Sequence, residues 1–188
     1  MNKLYIFDMG NVLCENSNVI PAIVNYLSIT ENLFFQHAGE NFRRLLEGKI
    51  SSHKFWDDFA LKSGQVIKGE LFGKFFHPQI NEEVKKIILR LKTHSRVVCG
   101  TNVIDSHYVF LQKKNIYNIF HKVYSSHLMG VAKPDPNFYL YILKEENILP
   151  EDVIFVDDML ENIVSAQNLG IRSILFENLS KLKFNLRI

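Results

Sequence analysis

Apolar residues follow two different rhythms along this chain. Residues 3–7, 96–99, 122–124, 153–156 and 173–176 form short apolar runs, the pattern of buried strands that feed loops. Between the later runs the spacing turns helical. After Asn81, the residues Val84, Ile87, Ile88 and Leu91 recur at i, i+3, i+4 and i+7, which predicts a helix capped by Asn81 with one face packed on something large. Further helices are predicted over 105–114, 136–147 and 160–169. Asp135 and Pro136 supply an N-cap and first-turn pair, and Gly170 stands where a C-cap belongs. Strands and helices that alternate in this way imply right-handed crossovers and a parallel sheet covered on both faces, an α/β fold.

Residues 18–80 break that rhythm. Their helical pattern is short-winded, with Thr30 and Ser51 as N-caps, and Phe34, Phe42, Phe55, Trp56, Phe59 and Phe72 lie among them. The stretch reads as a small helical lobe whose aromatics are mostly its own core. The last residues, 178–188, offer no readable pattern.

Composition narrows the partners. Lys and Arg number 22 against 20 Asp and Glu, a net charge of +2, which gives no electrostatic case for nucleic acid or an anionic membrane and leaves small molecules as the expected partner. No obligate protein partner is evident. Cys14 and Cys99 have no CxxC spacing, so neither a disulfide framework nor a zinc knuckle is expected, and a reducing cytoplasm fits best. Both are expected as small buried residues. The apolar stretch before Asp8 is too short for a signal peptide, and no run reaches membrane-spanning length. The sequon Asn178-Leu179-Ser180 is accordingly expected to be a chance match. The seven histidines lack HExxH spacing, and neither a Walker loop nor GxGxxG occurs.

Ligands of open α/β sheets bind beyond the carboxyl ends of the strands. Asp8 and Gly10 follow the first run, Thr101 and Asn102 the second, Gly130-Val131-Ala132-Lys133-Pro134 the third, and Asp157 with Asp158 the fourth. Three clustered carboxylates repel unless a proton or a divalent cation intervenes. An oxygen-rich site of this kind suits Mg²⁺. A lysine and a hydroxyl then remain to hold a phosphoryl group, and a carboxylate is a competent acceptor, giving an acyl phosphate that water cleaves.

Four segments in this order resemble the motifs of the haloacid dehalogenase superfamily, specifically its phosphatases with a helical cap. They are Phe7-Asp8-Met9-Gly10-Asn11-Val12-Leu13, Val97-Val98-Cys99-Gly100-Thr101-Asn102, Ala132-Lys133-Pro134-Asp135-Pro136, and Ile154-Phe155-Val156-Asp157-Asp158 with Asn162. The resemblance implies a Rossmann-like three-layer core with a parallel sheet, from residues 1–14 and 82–188. A small all-α cap, residues 15–81, would be inserted after the first strand. It implies hydrolysis of a small phosphate monoester, a phosphorylated metabolite, with Asp8 as nucleophile. Mg²⁺ would be held by Asp8, the Gly10 carbonyl and Asp158. Asp157 would orient a metal-bound water or Lys133, while Thr101, the Asn102 amide and Lys133 would hold the phosphoryl group.

One position departs from the pattern. Most phosphatases of this family carry a second aspartate, an acid/base, where Gly10 stands, and losing such a group typically costs about 10² to 10⁴ in rate. The Gly-Asn-Val form resembles a sub-branch with α-D-glucose-1-phosphate phosphatases, which points to sugar phosphates, whose anomeric oxygen is an acidic leaving group. Asp105 or His107 are candidates for the missing function, with surface placement as the plainer expectation. Asn162 either orients Asp158 or simply lies on its helix. Arg43 and Arg44 are left without a role. Three alternatives stand: a metal-independent 2-haloacid dehalogenase, which the paired Asp157 and Asp158 disfavour; a phosphorylation-receiver domain, whose acidic pair follows the first strand instead; and a weakly active regulatory or binding homologue, which Gly10 keeps open.

Overall fold

The computed structural model describes residues 3–188; residues 1 and 2 of the predicted core segment lie outside the described residues. In chain order the strands are β1 (Leu4–Phe7), β2 (Cys14–Glu15), β3 (Gln79–Ile80), β4 (Arg96–Thr101), β5 (Lys122–Ser125), β6 (Val153–Asp157) and β7 (Arg172–Leu175). The α-helices are α1 (Ile20–Leu27), α2 (Glu31–Ala38), α3 (Glu40–Leu46), α4 (Ser52–Ser63), α5 (Leu71–Phe75), α6 (Glu82–Lys92), α7 (Asp105–Lys113), α8 (Ser126–Met129), α9 (Pro136–Glu146), α10 (Leu160–Asn168) and α11 (Leu179–Leu186). Among the described residues no helix is long and apolar enough to cross a membrane.

Five strands form one parallel sheet in the order β5-β4-β1-β6-β7. β1 is central, and its alternation divides the core. Ile6 joins Val98 and Phe155 under α9 and α10, whereas Phe7 joins Cys99 and Val156 under the α6 face. This is the α/β core with a small all-α cap that the alternation and the motifs predict. Phe7 pairs with both Cys99 and Val156, so one residue further on, Asp8, Gly100 and Asp157 come level at the same edge. That register is what assembles the site.

Gly100 is needed at this edge. A Cβ there would sit 2.7 Å from Ile6 Cγ2 and 3.4 Å from a Phe138 ring carbon, between β1 and α9. Gly100→Ala is expected to destabilise the fold by about 1–3 kcal/mol through overpacking, read as a lower urea midpoint at unchanged slope. An unchanged midpoint would mean that Ile6 yields without cost.

The helices α1–α5 pack around Phe34, Phe55, Trp56, Phe59 and Phe72, all buried, with Phe55 and Trp56 edge to face at 5.0 Å. They leave and rejoin the core through the antiparallel pair β2 and β3, which the residue pattern did not foretell. Their contact with the core is specific. Ser126 Oγ donates to the Leu46 carbonyl (2.6 Å) and accepts from the Val103 amide (3.0 Å), tying the end of α3 to the segment after β4.

Three expectations are corrected. Thr101 and Asp157 end their strands instead of following them, because ladder pairing to Ser125 and Leu175 continues two residues beyond the run 96–99 and one beyond the run 153–156. The tail is ordered as α11, with Asn178 Oδ1 accepting from the Lys181 amide (2.9 Å) and Leu182 buried. His107 is not a surface residue. Its ring stacks on Phe76 with centroids 3.7 Å apart, and Nε2 lies 3.2 Å from the Phe72 carbonyl.

Candidate active site

β1 delivers Asp8 to the rim with its amide bonded to the Val156 carbonyl (2.9 Å). The following turn is tight. Asn11 adopts φ +52°, a left-handed conformation that asparagine tolerates better than most residues, and its Nδ2 donates to Asp158 Oδ2 (2.9 Å). This bond ties the turn after β1 to the turn after β6. Asn11 stood within the first motif with no role assigned; a polar residue suited to positive φ, three residues after the nucleophile candidate, was the available signal.

Lys133 is the hub. Its Nζ donates to Asp8 Oδ1 (2.8 Å), Asp157 Oδ2 (2.6 Å) and the Gly100 carbonyl (3.0 Å), which uses all three of its protons. Asp157 is equally saturated: Oδ1 accepts from the Met159 amide (2.8 Å) and Asn162 Nδ2 (2.9 Å). Asn162 therefore orients Asp157, not Asp158. Asn102 acts through its side chain. Nδ2 donates to the Lys133 carbonyl (2.8 Å) and Oδ1 accepts from the Lys133 amide (2.9 Å), so it clamps the lysine backbone. Thr101 is buried, and among the described residues its hydroxyl reaches only the Asn102 carbonyl, at 3.5 Å. The Gly10 carbonyl accepts from the Val12 amide (2.7 Å), which leaves one lone pair.

One carboxylate oxygen each from Asp8, Asp157 and Asp158 lies within 4.8 Å of the other two. Burial pushes Asp8 up to about 7; Lys133 opposes this, and the charges of Asp157 and Asp158 add to it. Asp158 is also raised, chiefly by burial, while the Asn11 bond opposes the shift. Lys133 lies above its ordinary value because the two carboxylates outweigh its burial. One buried cation thus does not neutralise the cluster, and a second positive charge fits it. Asp8 Oδ2 has no hydrogen-bond partner among the described residues and stays open for chemistry, while Asp8, Asp158 and the Gly10 carbonyl offer hard oxygen donors of the type Mg²⁺ takes.

The remaining candidates fall away from the chemistry. Cys14 and Cys99 are buried and free; burial pushes the Cys14 thiol up to about 12 and raises Cys99 as well, so neither is a nucleophile. Arg43 bonds Glu47 (2.9 Å) and reaches Asp135 (3.4 Å), a cap-to-core contact at an exposed position. Asp105 is exposed in the first turn of α7.

Comparison with known proteins follows the same lines. The model of the haloacid dehalogenase-like hydrolase family matches residues 5–176. The chain is 31% identical over 194 residues to the glyceraldehyde 3-phosphate phosphatase of Pyrococcus furiosus, covering 93% of this chain and 80% of that protein. A 68-residue stretch, 36% of the chain, is 46% identical to drimenol cyclase drtB of Aspergillus calidoustus, of which it spans only 13%. Among solved structures, a HAD family enzyme of Bacteroides thetaiotaomicron in complex with magnesium and inorganic phosphate superposes with a TM-score of 0.78 at 24% identity. The match covers 97% of this chain and 99% of that one.

Proposed function

Because the chain belongs to the haloacid dehalogenase-like hydrolase family, we propose that it hydrolyses small phosphate monoesters through an aspartyl phosphate on Asp8, as a Mg²⁺-dependent phosphatase. The observation that carries this reading is the division of labour in the carboxylate cluster. Asp157 spends both oxygens on Lys133, Met159 and Asn162, whereas Asp8 keeps Oδ2 for the phosphorus.

Mg²⁺, held by Asp8, Asp158 and the Gly10 carbonyl, would supply charge neutralisation to the phosphoryl oxygens. The chain's own residues do the rest. Asp157 holds Lys133 beside Asp8 Oδ1, so the nucleophile is fixed and its charge is partly balanced. Attack by Asp8 Oδ2 forms the new P–O bond as the ester P–O bond breaks. The Thr101 hydroxyl and the Asn102 amide steady the transferring group, Lys133 contributes its charge from its place beside Asp8, and closure of residues 15–81 as a cap excludes bulk water. Water then cleaves the acyl phosphate and regenerates Asp8.

Sugar phosphates are the first substrate class, from the Gly-Asn-Val form of the first motif and the acidity of an anomeric leaving group. A second reading, an ester of a less polar alcohol, is favoured by the cavity of about 130 Å³ between cap and core, where Val19, Ile20, Phe42, Leu46, Phe72 and Ile104 form an apolar wall beside the polar Ser17, Asn18, Asn102 and His107. A panel of sugar 1-phosphate, sugar 6-phosphate and medium-chain alkyl phosphate separates the two. Two buried free cysteines fit a reducing cytoplasm.

Phosphate release from p-nitrophenyl phosphate tests the activity itself. Chelation is expected to lower turnover at least about tenfold, with recovery when Mg²⁺ is returned. Turnover indifferent to chelator would overturn the metal-dependent reading, and halide release from a 2-haloacid would then identify the dehalogenase alternative. No phosphate release with any ester would favour the regulatory homologue.

A further inference from the structure

Glycine at position 10 leaves a phosphatase of this design without a side chain beside the leaving group, and the structure contains a group in that space. A Cβ built on Gly10 would lie 3.2 Å from Ser17 Oγ and 3.7 Å from Asp8 Oδ2. A hydroxyl delivered from the segment entering the cap thus stands next to the origin of a residue-10 side chain, on the side of the nucleophilic oxygen.

Local structure does not account for this hydroxyl. The polar start of α1 is served by Asn18, whose Oδ1 accepts from the Ile20 amide (3.0 Å); among the described residues Ser17 Oγ has no hydrogen-bond partner. Ser17 is only partly buried and lines the cavity between cap and core together with Asn102 and His107. His107 is less suited to the task. Its ring is stacked on Phe76, its Nε2 faces the Phe72 carbonyl, and burial lowers its pKa to about 4, so it carries no spare proton at neutral pH.

We propose that Ser17 substitutes for the missing side chain at position 10 by donating its hydroxyl hydrogen bond to the leaving-group oxygen. The inference rests on the reading of this site as a phosphoryl-transfer centre. As Asp8 Oδ2 bonds to phosphorus, the ester P–O bond breaks and its electron pair goes to the departing oxygen. Ser17 stabilises that charge without losing its own proton, and water supplies the proton that completes the alcohol. A donor aimed at developing charge contributes most when the charge is largest, so the benefit grows with the pKa of the alcohol released.

Ser17→Ala and Ser17→Thr, assayed against aryl and alkyl phosphates of increasing leaving-group pKa, test this. Ser17→Ala is expected to lose about tenfold to hundredfold in kcat/KM with alkyl phosphates and less than about threefold with p-nitrophenyl phosphate. The dependence on leaving-group pKa steepens, and Ser17→Thr restores the shallower slope. A purely structural effect would lower every substrate by the same factor. Parallel slopes, or no loss at all, overturn the assignment while leaving the phosphatase reading intact. Absence of Asp8-dependent turnover in the unaltered chain overturns both.

Discussion

Asp8→Asn is expected to abolish turnover without harming the fold. An amide can still meet Lys133 Nζ, now 2.8 Å from Asp8 Oδ1, but it cannot form the acyl phosphate. The expected fall in kcat is on the order of 10⁴ or more, the scale seen when a covalent nucleophile is removed. Stability should move the other way. A carboxyl raised from 3.8 to about 7 by burial stabilises the fold while it is protonated, and that contribution is lost as pH rises from about 4 through 7. The metal-free wild-type chain should therefore lose stability across that window. Asp8→Asn should flatten the loss and match or exceed the wild-type melting temperature at pH 8. Residual turnover within about tenfold of wild type would remove Asp8 from the mechanism. A melting temperature well below wild type would mean that the charge of Asp8 is structural.

The legible part of this molecule was the part governed by period and by short motifs. The run 3–7 and the spacing of Val84, Ile87, Ile88 and Leu91 translate directly into β1 and α6, because burial on a sheet demands those periods. Register cannot be read this way. That Phe7 aligns with both Cys99 and Val156 is a property of pairing, yet it is what brings Asp8, Lys133 and Asp157 into contact. Side-chain roles that depend on three-dimensional neighbours were missed for the same reason. Asn102 clamps Lys133 across 31 residues of sequence, Asn11 reaches Asp158 across 147, and Asn162 chooses Asp157 over the adjacent Asp158. The last helix was legible and missed: Leu179, Leu182 and Leu186 recur at i, i+3 and i+7 and pack on the core, but the stripe spans barely two turns and its cap, Asn178, coincides with a sequon. His107 illustrates the converse. A polar residue near a motif suggested the surface, but the neighbouring Phe76 gives its ring an apolar partner that sequence distance conceals.

Lys133→Met should damage stability and activity together, because the lysine sits where the two meet. The substitution leaves Asp8, Asp157 and the Gly100 carbonyl without the ammonium that binds all three. Removing one partner of a buried charge pair typically costs about 3–5 kcal/mol, and an apolar chain of similar length returns part of that through packing. The deficit should depend on pH with a definite sign. Near pH 4 Asp8 can stay protonated in the folded state at little cost. As pH rises it ionises freely in the unfolded chain but is held back in the fold by burial, the more so once Lys133 no longer opposes that shift, so the deficit relative to wild type widens toward pH 8. Saturating Mg²⁺ should narrow it, since a cation on Asp8 and Asp158 replaces part of the lost charge, and a folded-state ligand stabilises by mass action. Turnover should fall by about 10² to 10³ even for molecules that remain folded, the scale associated with losing one stabilising donor of the transition state. Urea titrations at pH 5 and pH 8, with and without Mg²⁺, measure each part. A deficit that does not widen with pH would mean that Asp8 carries its charge without help from the ammonium, and Lys133 would then matter to catalysis alone.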